Sequence, residues 1–360
     1  MLEAAPQLLD GRWMTDVLER AGVAQGATVT EVKFLGWIGT GQTGRNGRVA
    51  LEWDDPEGRP PTVVAKLPSG DDVARASGFL TGSYLREFLF YVGIAATVGV
   101  RVPRCHHATF DAARQDFVLL MEDVAGAEQG DQIHGLSLDQ VSTAVAEVVA
   151  LHAPRYGENH LRSLLVPAGE AATSADEAAQ LMHVFYGMTM VGFLERLGGR
   201  LDPEVVDVVT ALAPKVREWM APAGPETLVH LDYRADNLLF GTSSETAPVT
   251  VVDWQTLGVG CGATDLAYLV SGSLPDRVER AAVERAVVED YRERMAAAGV
   301  ALDPDRLWQD YRRGSAWGLV ITVLASMAAE HTERGDDMFV AMAQRHGWQC
   351  IELDALALLG

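Results

Sequence analysis

Residues 230–237 read His-Leu-Asp-Tyr-Arg-Ala-Asp-Asn, and a further acidic residue, Asp253, follows the apolar run 249–252. The spacing His-x-Asp-x-x-x-x-Asn predicts a loop that carries a carboxylate and an amide side chain. Phosphoryl transfer from a nucleoside triphosphate needs a carboxylate that accepts the proton of the attacking hydroxyl group, and oxygen ligands that hold Mg²⁺ on the phosphates. We therefore predict that Asp232 is the general base and that Asn237 and Asp253 are metal ligands. A polar loop between two strands is the alternative interpretation, because motifs this short recur by chance.

The composition is that of a globular protein with an excess of acidic side chains. The 360 residues are 48% hydrophobic, and 29 basic against 50 acidic side chains leave a formal net charge of −21 at pH 7. The length allows two lobes, each with its own core. A negative charge opposes binding to nucleic acid and to anionic lipid, so we expect neither nucleic acid nor a membrane as a partner. Nothing in the sequence indicates an oligomeric state.

The cysteine pattern and the termini bear on localisation. Cys105, Cys261 and Cys350 lie far apart and form no C-x-x-C motif. The first residues lack the basic segment and apolar run that are typical of a secretory signal. The longest apolar segment, 316–329, is too short to span a bilayer and predicts a buried helix. We therefore expect a reduced, cytoplasmic protein.

Three glycines, Gly39, Gly41 and Gly44, lie between predicted strands at 28–35 and 48–53. This spacing occurs in dinucleotide-binding folds, where the glycines open a helix, and in kinases, where they form a loop over the ATP phosphates. Here the following residues alternate in polarity and include β-branched residues and a tryptophan, which predicts a strand. We therefore predict a hairpin flap whose glycines bind the nucleotide. A plain glycine-containing hairpin is the alternative.

A lysine lies near the end of the next predicted strand, 62–67. Lys66 has apolar neighbours, and burial of an unpaired ammonium group costs free energy. We predict that Glu87, in a helical stretch at 84–92, pairs with it and holds it on the α- and β-phosphates of ATP. A solvent-exposed lysine at a strand end is the alternative.

An apolar strand is followed, at 121–126, by an acidic segment that contains a glycine. A strand that gives way to such a connector is where two lobes would join. We expect the adenine to bind the main chain of Glu122 and Val124 there. The predicted lobes are an N-terminal nucleotide-binding lobe, 1–121, and a C-terminal catalytic and substrate-binding lobe, 122–360.

The pattern beyond this hinge is mainly helical, with helices predicted at 137–153, 176–196 and 203–221 and four more after residue 276. Asp265 lies near the start of another helix, where it would cap the helix or brace the catalytic loop. We interpret its role as structural.

The catalytic motif, the glycines and the lysine–glutamate pair occur in the same order in the aminoglycoside phosphotransferase and choline kinase group of small-molecule kinases, which the chain resembles over about 28–275. The stretches 232–240 and 252–268 are most similar to its ecdysteroid-kinase-like branch. The resemblance implies an α+β, bilobal protein-kinase-like fold with a small antiparallel-sheet N-lobe and a large, mainly helical C-lobe. It also implies ATP as donor, with GTP not excluded, Mg²⁺ as metal, and a small-molecule hydroxyl group as acceptor.

The resemblance assigns roles residue by residue. Asp232 resembles the catalytic base of the group, and Asn237 and Asp253 resemble its metal ligands. Lys66 resembles the lysine that contacts the phosphates. Arg234 stands where protein kinases often carry a lysine near the transferred phosphate, so it could act in catalysis by neutralising charge there. A structural salt bridge is the alternative for this arginine.

Departures from protein kinases favour a small-molecule acceptor. Asp253-Trp-Gln replaces Asp-Phe-Gly, no Ala-Pro-Glu is present, and the helix near Asp265 leaves little room for an activation segment. The glycines are also followed by an extension, 45–47, which puts the contacts of the flap tip in question. A protein kinase and a non-catalytic nucleotide-binding scaffold are the alternative functions.

The sequence leaves the acceptor open among an aminoglycoside, an amino sugar, an amino alcohol and a steroid-like alcohol. We expect its site between the catalytic loop and helices at about 130–200 and 305–346. Acidic residues that would favour an amine, if they face the site, are Asp131, Glu330, Glu333, Asp336 and Asp337. Side chains that would suit a lipophilic alcohol are Trp317, Met327 and Phe339.

Overall fold

The computed structural model describes residues 6–39, 44–167, 169–221, 224–329 and 331–359. The chain forms two compact units. The first contains Met1–Ile94 and Val102–Ala125, and the second contains Ala95–Arg101 and Gly126–Gly360. A short segment of the predicted N-terminal lobe therefore belongs to the second unit. The hinge at 121–126 stays a prediction.

The first unit is built on an antiparallel sheet. Its strands are β1 (Val29–Ile38), β2 (Gly44–Trp53), β3 (Thr62–Pro68), β4 (Cys105–Asp111) and β5 (Asp116–Glu122). The strand order is β1-β2-β3-β5-β4. The predicted hairpin is confirmed, because β1 and β2 pair from Val29 opposite Trp53 to Ile38 opposite Asn46. The extension at 45–47 is part of β2 and pairs with β3 on its other side.

The helices of the first unit are α1 (Gly11–Arg20), α2 (Asp72–Leu80) and α3 (Ser83–Leu89), which continues into a π-helical turn, Phe90–Ile94. Side chains alternate across a strand, so β3 contributes to two cores. Val63 and Leu67 pack with α1, whereas Val64 packs with Tyr84 of α3. Lys66 shares the Val64 face by the same alternation and therefore points to the α3 side of the sheet.

The second unit is mainly helical. Its α-helices are α4 (Leu138–His152), α5 (Ala175–Leu197), α6 (Pro203–Leu212), α7 (Val216–Met220), α8 (Ala263–Ser273), α9 (Arg277–Ala297), α10 (Pro304–Gly314), α11 (Ala316–Ala328) and α12 (Glu333–Glu352). The helix predicted at 203–221 is divided by a 3₁₀ turn, Ala213–Lys215. Pro214 explains the division, because proline lacks the N–H group that an α-helix needs. The four helices predicted after residue 276 are confirmed.

Two small antiparallel sheets hold the polar loops of the second unit. One contains β6 (Ala127–Gln129), β8 (Leu238–Gly241) and β9 (Val249–Val251) in that order, and the other pairs β7 (Thr227–Val229) with β10 (Gly258–Gly260). The loop 230–237 therefore runs from β7 to β8, and the loop 252–257 runs from β9 to β10. Because the strands pair, both loops are anchored at both ends to the same small framework.

The apolar segment at 316–329 forms α11, and most residues of this helix are buried in the core of the second unit. Across the described ranges, no helix is long and apolar enough to cross a membrane.

His346 of α12 is fully buried in this part of the protein. Neither ring nitrogen has a hydrogen-bond partner among the described residues. Burial lowers the pKa of His346 to about 3, with smaller contributions from Arg345 and Arg280. The ring is therefore neutral in the folded protein at neutral pH.

This depressed pKa predicts acid-sensitive stability. Below pH 6.5 the ring takes up a proton in the unfolded chain but not in the folded one, so the free energy of unfolding falls as the pH falls toward 3. From pH 7.5 to pH 5 the group accounts for a loss of about 2 kcal/mol. We expect His346→Leu to remove that part of the loss in urea denaturation at the two pH values. Phe339→Leu, a change at a buried residue of the same helix that carries no titratable group, is the control and should leave the pH dependence unchanged.

Candidate active site

The loop between β7 and β8 begins with a strained backbone. Leu231 has φ +64°, a left-handed conformation that residues other than glycine rarely adopt. Its N–H donates to Asp265 Oδ1 at 2.8 Å, and its carbonyl oxygen accepts from Trp317 Nε1 at 2.7 Å. The preceding N–H, of His230, donates to Asp265 Oδ2 at 2.6 Å. These bonds hold the chain in the conformation that leads into Asp232.

Asp265 of α8 is fully buried and is the common acceptor of this network. Besides the two main-chain groups it contacts His152 Nε2 at 3.2 Å, and His152 Nδ1 lies 3.0 Å from the hydroxyl of Tyr291. The carboxylate thus connects α4, α8 and α9 to the loop. These are the contacts of a residue that braces the catalytic loop.

Asp232 is held through both carboxylate oxygens. Oδ1 accepts from the hydroxyl of Tyr268 at 3.0 Å and from Arg234 Nε at 3.1 Å. Oδ2 accepts from Asn237 Nδ2 at 2.8 Å. Burial raises the pKa of Tyr268 well above its usual range, and the Asp232 carboxylate acts in the same direction, so this hydroxyl remains a donor. The predicted base is therefore held in one orientation by three neighbouring side chains.

Arg234 forms the salt bridges that the sequence left as an alternative. Its guanidinium contacts Asp232 and, at 2.5 Å, Asp236 Oδ2. Asp236 is fixed in turn, because its Oδ1 accepts from the main-chain N–H of Gln132 at 2.9 Å. Burial lowers the pKa of Arg234, but the two carboxylates outweigh burial and raise it, so the cation is retained. A contact with the transferred phosphate stays a prediction.

The two predicted metal ligands are brought close by the chain. The amide nitrogen of Asn237 donates to both the main-chain oxygen and Oδ2 of Asp232, each at 2.8 Å. This fixes the amide so that its carbonyl oxygen is turned away from those bonds. The main-chain carbonyl oxygen of Asn237 accepts from the N–H of Val252 at 3.0 Å, and Asp253 is the next residue along the chain. Asp253 itself has φ +69°.

An amide oxygen and a carboxylate are ligands that suit Mg²⁺, which keeps waters and substrate phosphates as its other ligands. Within the described ranges, no group of three or more His, Cys, Asp or Glu side chains could hold a metal. Asn237 and Asp253 would supply the two protein oxygens of such a shared site, and their binding of Mg²⁺ stays a prediction.

In the first unit, Lys66 Nζ lies 2.7 and 2.8 Å from the two carboxylate oxygens of Glu87, and both residues are buried. The predicted pairing is thus observed, while its role on phosphates stays a prediction. Gly44 lies beside the pair. A Cβ at this position would be 3.3 Å from Lys66 Cε and 3.1 Å from Leu67 O, so the glycine allows the lysine to pass close to β2.

The other predicted nucleotide contacts are placed as follows. Gly39 has φ +74° at the end of the first hairpin strand, and Gly41 lies outside the described residues. The N–H of Glu122 is taken by the carbonyl of Arg104 at 2.8 Å, so it is not available to an adenine. The main chain of Val124 makes no hydrogen bond with the described residues, and the adenine contacts of both residues stay a prediction.

Most of the residues proposed for the acceptor site are engaged elsewhere. Asp336 pairs with Arg196, and Asp337 pairs with Arg200 at 2.7 Å. Asp131 accepts from two N–H groups of its own turn. Trp317 and Phe339, the apolar alternatives, are buried in the core. Met327 is half-buried, Glu333 is exposed, and Glu330 lies outside the described residues.

Asp253 and α8 are joined by residues 254–262, which form a 3₁₀ turn, Trp254–Thr256, and strand β10. These residues are therefore committed to the framework that holds the loops. No extended activation segment lies between them, which agrees with the sequence-based argument for a small-molecule acceptor.

Several residues support the site in roles that were not predicted. Tyr268 and Trp317 bind the loop from helices far along the chain, and Gln132 accepts from the N–H of Ala235 at 3.1 Å. Tyr268 ends the stretch 252–268, but nothing in the sequence indicates its partner. The buried polar character of these side chains is visible only in three dimensions.

Known proteins give two kinds of similarity. The model of the family described as "Phosphotransferase enzyme family" matches residues 57–307. No curated protein sequence matches the chain. Among solved structures, a putative aminoglycoside phosphotransferase from Ralstonia eutropha has a TM-score of 0.54 at 16% identity, covering 94% of this chain and 98% of that one.

Two further structures are similar. Plasmodium vivax ethanolamine kinase has a TM-score of 0.52 at 12% identity, covering 91% of this chain and 82% of that one. The GDP complex of aminoglycoside 2'-phosphotransferase-IIIa has a TM-score of 0.52 at 13% identity, covering 94% and 99%. Likeness at this identity shows the fold, and the predicted α+β, protein-kinase-like fold is confirmed. The closer resemblance to the ecdysteroid-kinase-like branch stays a prediction.

The bracing role of Asp265 can be tested by stability. In Asp265→Ala two main-chain N–H groups and a histidine lose their acceptor in a dry interior, so we expect the free energy of unfolding to fall by about 3–5 kcal/mol. Urea denaturation measures the loss. Asp290→Ala, which removes an exposed ion pair with Arg294 on α9, is the matched control and should cost at most about 0.5 kcal/mol. Equal losses in the two variants would contradict the brace.

Proposed function

The chain belongs to the phosphotransferase enzyme family of small-molecule kinases, and we propose that it moves the γ-phosphoryl group of ATP to a hydroxyl group, with Asp232 as the general base. The observation that carries the proposal is the set of contacts around this carboxylate. Asp232 is oriented by Tyr268, Arg234 and Asn237. The main-chain N–H of Val252 donates to the main-chain oxygen of Asn237, which holds the residue before Asp253 beside Asn237. A solvated polar loop would not need such an arrangement.

The hydrogen bonds around Asp232 indicate which oxygen would take the proton. Each carboxylate oxygen can accept about two hydrogen bonds. Oδ1 already accepts from Tyr268 and Arg234 at short distance, whereas Oδ2 has one short bond, from Asn237, and a longer one of 3.4 Å from Arg234 Nε. Oδ2 is therefore the oxygen with room for an acceptor hydroxyl. The proton of the acceptor hydroxyl would pass to Oδ2 as the hydroxyl oxygen attacks the γ-phosphorus.

Asn237 and Asp253 are the residues that would hold Mg²⁺. The bound ion would offset negative charge on the phosphate oxygens. The protein's own contribution is the orientation of these ligands, because the amide of Asn237 is fixed by Asp232 and Asp253 follows a paired strand. Lys66, held by Glu87, would contact the α- and β-phosphates. Arg234 would add positive charge beside the base, where it is kept protonated by its two carboxylate partners.

The acceptor is proposed only as a small molecule with a hydroxyl group. The similar structures include kinases of aminoglycosides and of ethanolamine, which act on amino compounds by their names. In this chain, however, Asp336 and Asp337 are already paired with arginines of α5 and its C-terminal end. An amine acceptor would therefore need carboxylates other than these two. ATP is proposed as the donor, and GTP is to be tested beside it.

The proposal predicts nucleotide consumption that depends on Asp232. Purified protein should consume ATP or GTP with Mg²⁺ and one class from a panel of aminoglycosides, amino sugars, choline-like amines and sterols. Asp232→Ala should lower kcat by about 10²- to 10⁴-fold, because the general base is lost. Binding of Mg-ADP, measured by calorimetry, should survive in this variant.

The controls separate the alternatives. Asp290→Ala on the surface of α9 should keep the wild-type rate. Label transfer to a generic protein substrate would instead support a protein kinase. Mg-dependent nucleotide binding without turnover on any acceptor would support a binding scaffold, and a wild-type protein that binds no nucleotide would overturn the proposal.

Gly44 gives a test of the lysine. In Gly44→Ala the new methyl group presses on Lys66 Cε and the neighbouring carbonyl, and Glu87 restrains the lysine from moving away. We expect the KM for ATP to rise about 10-fold with a smaller change in kcat, because the lysine contributes to nucleotide binding. The control is Gly93→Ala, since a Cβ at Gly93 meets no atom within 4 Å. An unchanged KM in Gly44→Ala would count against Lys66 as a phosphate contact.

A further inference from the structure

Tyr268 is the uncharged side chain that reaches the predicted base from the helical core. It lies on α8, one turn after Asp265, and is almost fully buried. Its hydroxyl donates to Asp232 Oδ1 at 3.0 Å. Because the two residues of α8 are separated by one helical turn, they face the same way, and Asp265 holds the main chain of the loop while Tyr268 holds the side chain of its base.

The ring of Tyr268 is itself fixed by a neighbour. It stacks on the ring of His346, with centroids 4.9 Å apart and planes at 16°. His346 also lies against Gly318 of α11, where a Cβ would overlap the imidazole ring. The order of contacts is therefore Gly318, His346, Tyr268 and Asp232. Each step joins a different element, from α11 through α12 and α8 to the catalytic loop.

We propose that Tyr268 is a positioning residue, which holds Asp232 in one rotamer so that Oδ2 is presented to the acceptor hydroxyl. The inference rests on the proposed role of Asp232 as general base. Without the hydroxyl of Tyr268, Oδ1 would keep only the bond from Arg234 Nε, and that nitrogen also approaches Oδ2 at 3.4 Å. The arginine could then follow either oxygen, so that the bond from Asn237 Nδ2 to Oδ2 alone would oppose a rotation of the carboxylate about χ2.

Such a rotation would act on the chemical step rather than on binding. Proton transfer needs the accepting oxygen within hydrogen-bond reach of the attacking group, and a displacement of about 1 Å can cost on the order of 100-fold in rate. The nucleotide contacts proposed for Lys66, Asn237 and Asp253 do not involve Tyr268. A loss of kcat with little change in the KM for ATP is therefore the specific signature of this role.

A purely structural role for Tyr268 must be separated from a positioning role. Tyr186 of α5 offers the matched control, because it is also fully buried and its hydroxyl donates to a main-chain oxygen, that of Val209, at 2.9 Å. Tyr186→Phe removes a buried hydroxyl and its hydrogen bond, as Tyr268→Phe does. Among the described residues, the Tyr186 hydroxyl makes no hydrogen bond with the loop 230–237.

The kinetic test compares these two variants with the wild type. Phosphate release from Mg-ATP in single turnovers, with water as acceptor, provides a probe that does not require the natural acceptor. We expect Tyr268→Phe to lower this rate roughly 10- to 100-fold at an unchanged affinity for Mg-ATP. Tyr186→Phe should keep the wild-type rate. A wild-type rate in Tyr268→Phe, or an equal loss in both variants, would overturn the inference.

A thermodynamic cycle tests the contact without reference to activity. Stability is measured for the wild type, Tyr268→Phe, Asp232→Ala and the double variant by urea denaturation. Two residues in contact should give non-additive losses, so Tyr268→Phe should shift the urea midpoint clearly in the wild type and less in the Asp232→Ala protein. Additive shifts would overturn the inference. The same cycle with Tyr186→Phe should be additive.

The kinetic test and the thermodynamic cycle together also separate this inference from the proposed function. A wild-type protein that neither binds nor hydrolyses Mg-ATP would contradict the kinase proposal and the positioning role together, whatever the cycle shows. The positioning role alone would be contradicted if the wild type is active and the cycle shows coupling between Tyr268 and Asp232, but Tyr268→Phe keeps the wild-type rate.

Discussion

The catalytic loop depends on one buried carboxylate, that of Asp265. Its two oxygens accept the main-chain N–H groups of His230 and Leu231, and the second of these residues has a left-handed backbone that its side chain disfavours. A strained conformation persists only where the surroundings fix it, and here the surroundings are charged and dry. The orientation of Asp232 follows from this constraint, because this proposed base is the next residue along the chain.

The local parts of this architecture could be predicted from sequence. The hairpin, the lysine strand and the helices follow from hydrophobic periodicity, and the spacing of the motif at 230–237 predicts a base and an amide ligand. Helix α2 was missed although Asp71 and Asp72 are typical of a helix start, because apolar residues such as Val73 and Leu80 lie on its exposed face. A pattern without a clear buried face does not predict a helix. The single helix expected at 203–221 is instead divided at Pro214. The apolar periodicity continues there, but proline has no N–H group for the helical hydrogen bond.

The support of the site could not be predicted, for a different reason. Tyr268 lies 36 positions from Asp232, and Trp317 lies 86 positions from Leu231. A single sequence contains no record of which distant side chains meet. The same limit applies to the acceptor. Asp336 and Asp337 looked available in the sequence, and only the packing of α12 beside the arginines at 196 and 200 shows that both already form ion pairs.

The support of the loop from α11 and α12 also sets an order of events during synthesis. The segment that contains the base is made well before Trp317 and His346, so the nascent chain lacks the groups that fix Leu231 and Tyr268. Domains form as units once their parts are available. The geometry around Asp232 is therefore acquired late, when the last helices of the second unit dock, and a ribosome-bound chain would carry the motif without these contacts.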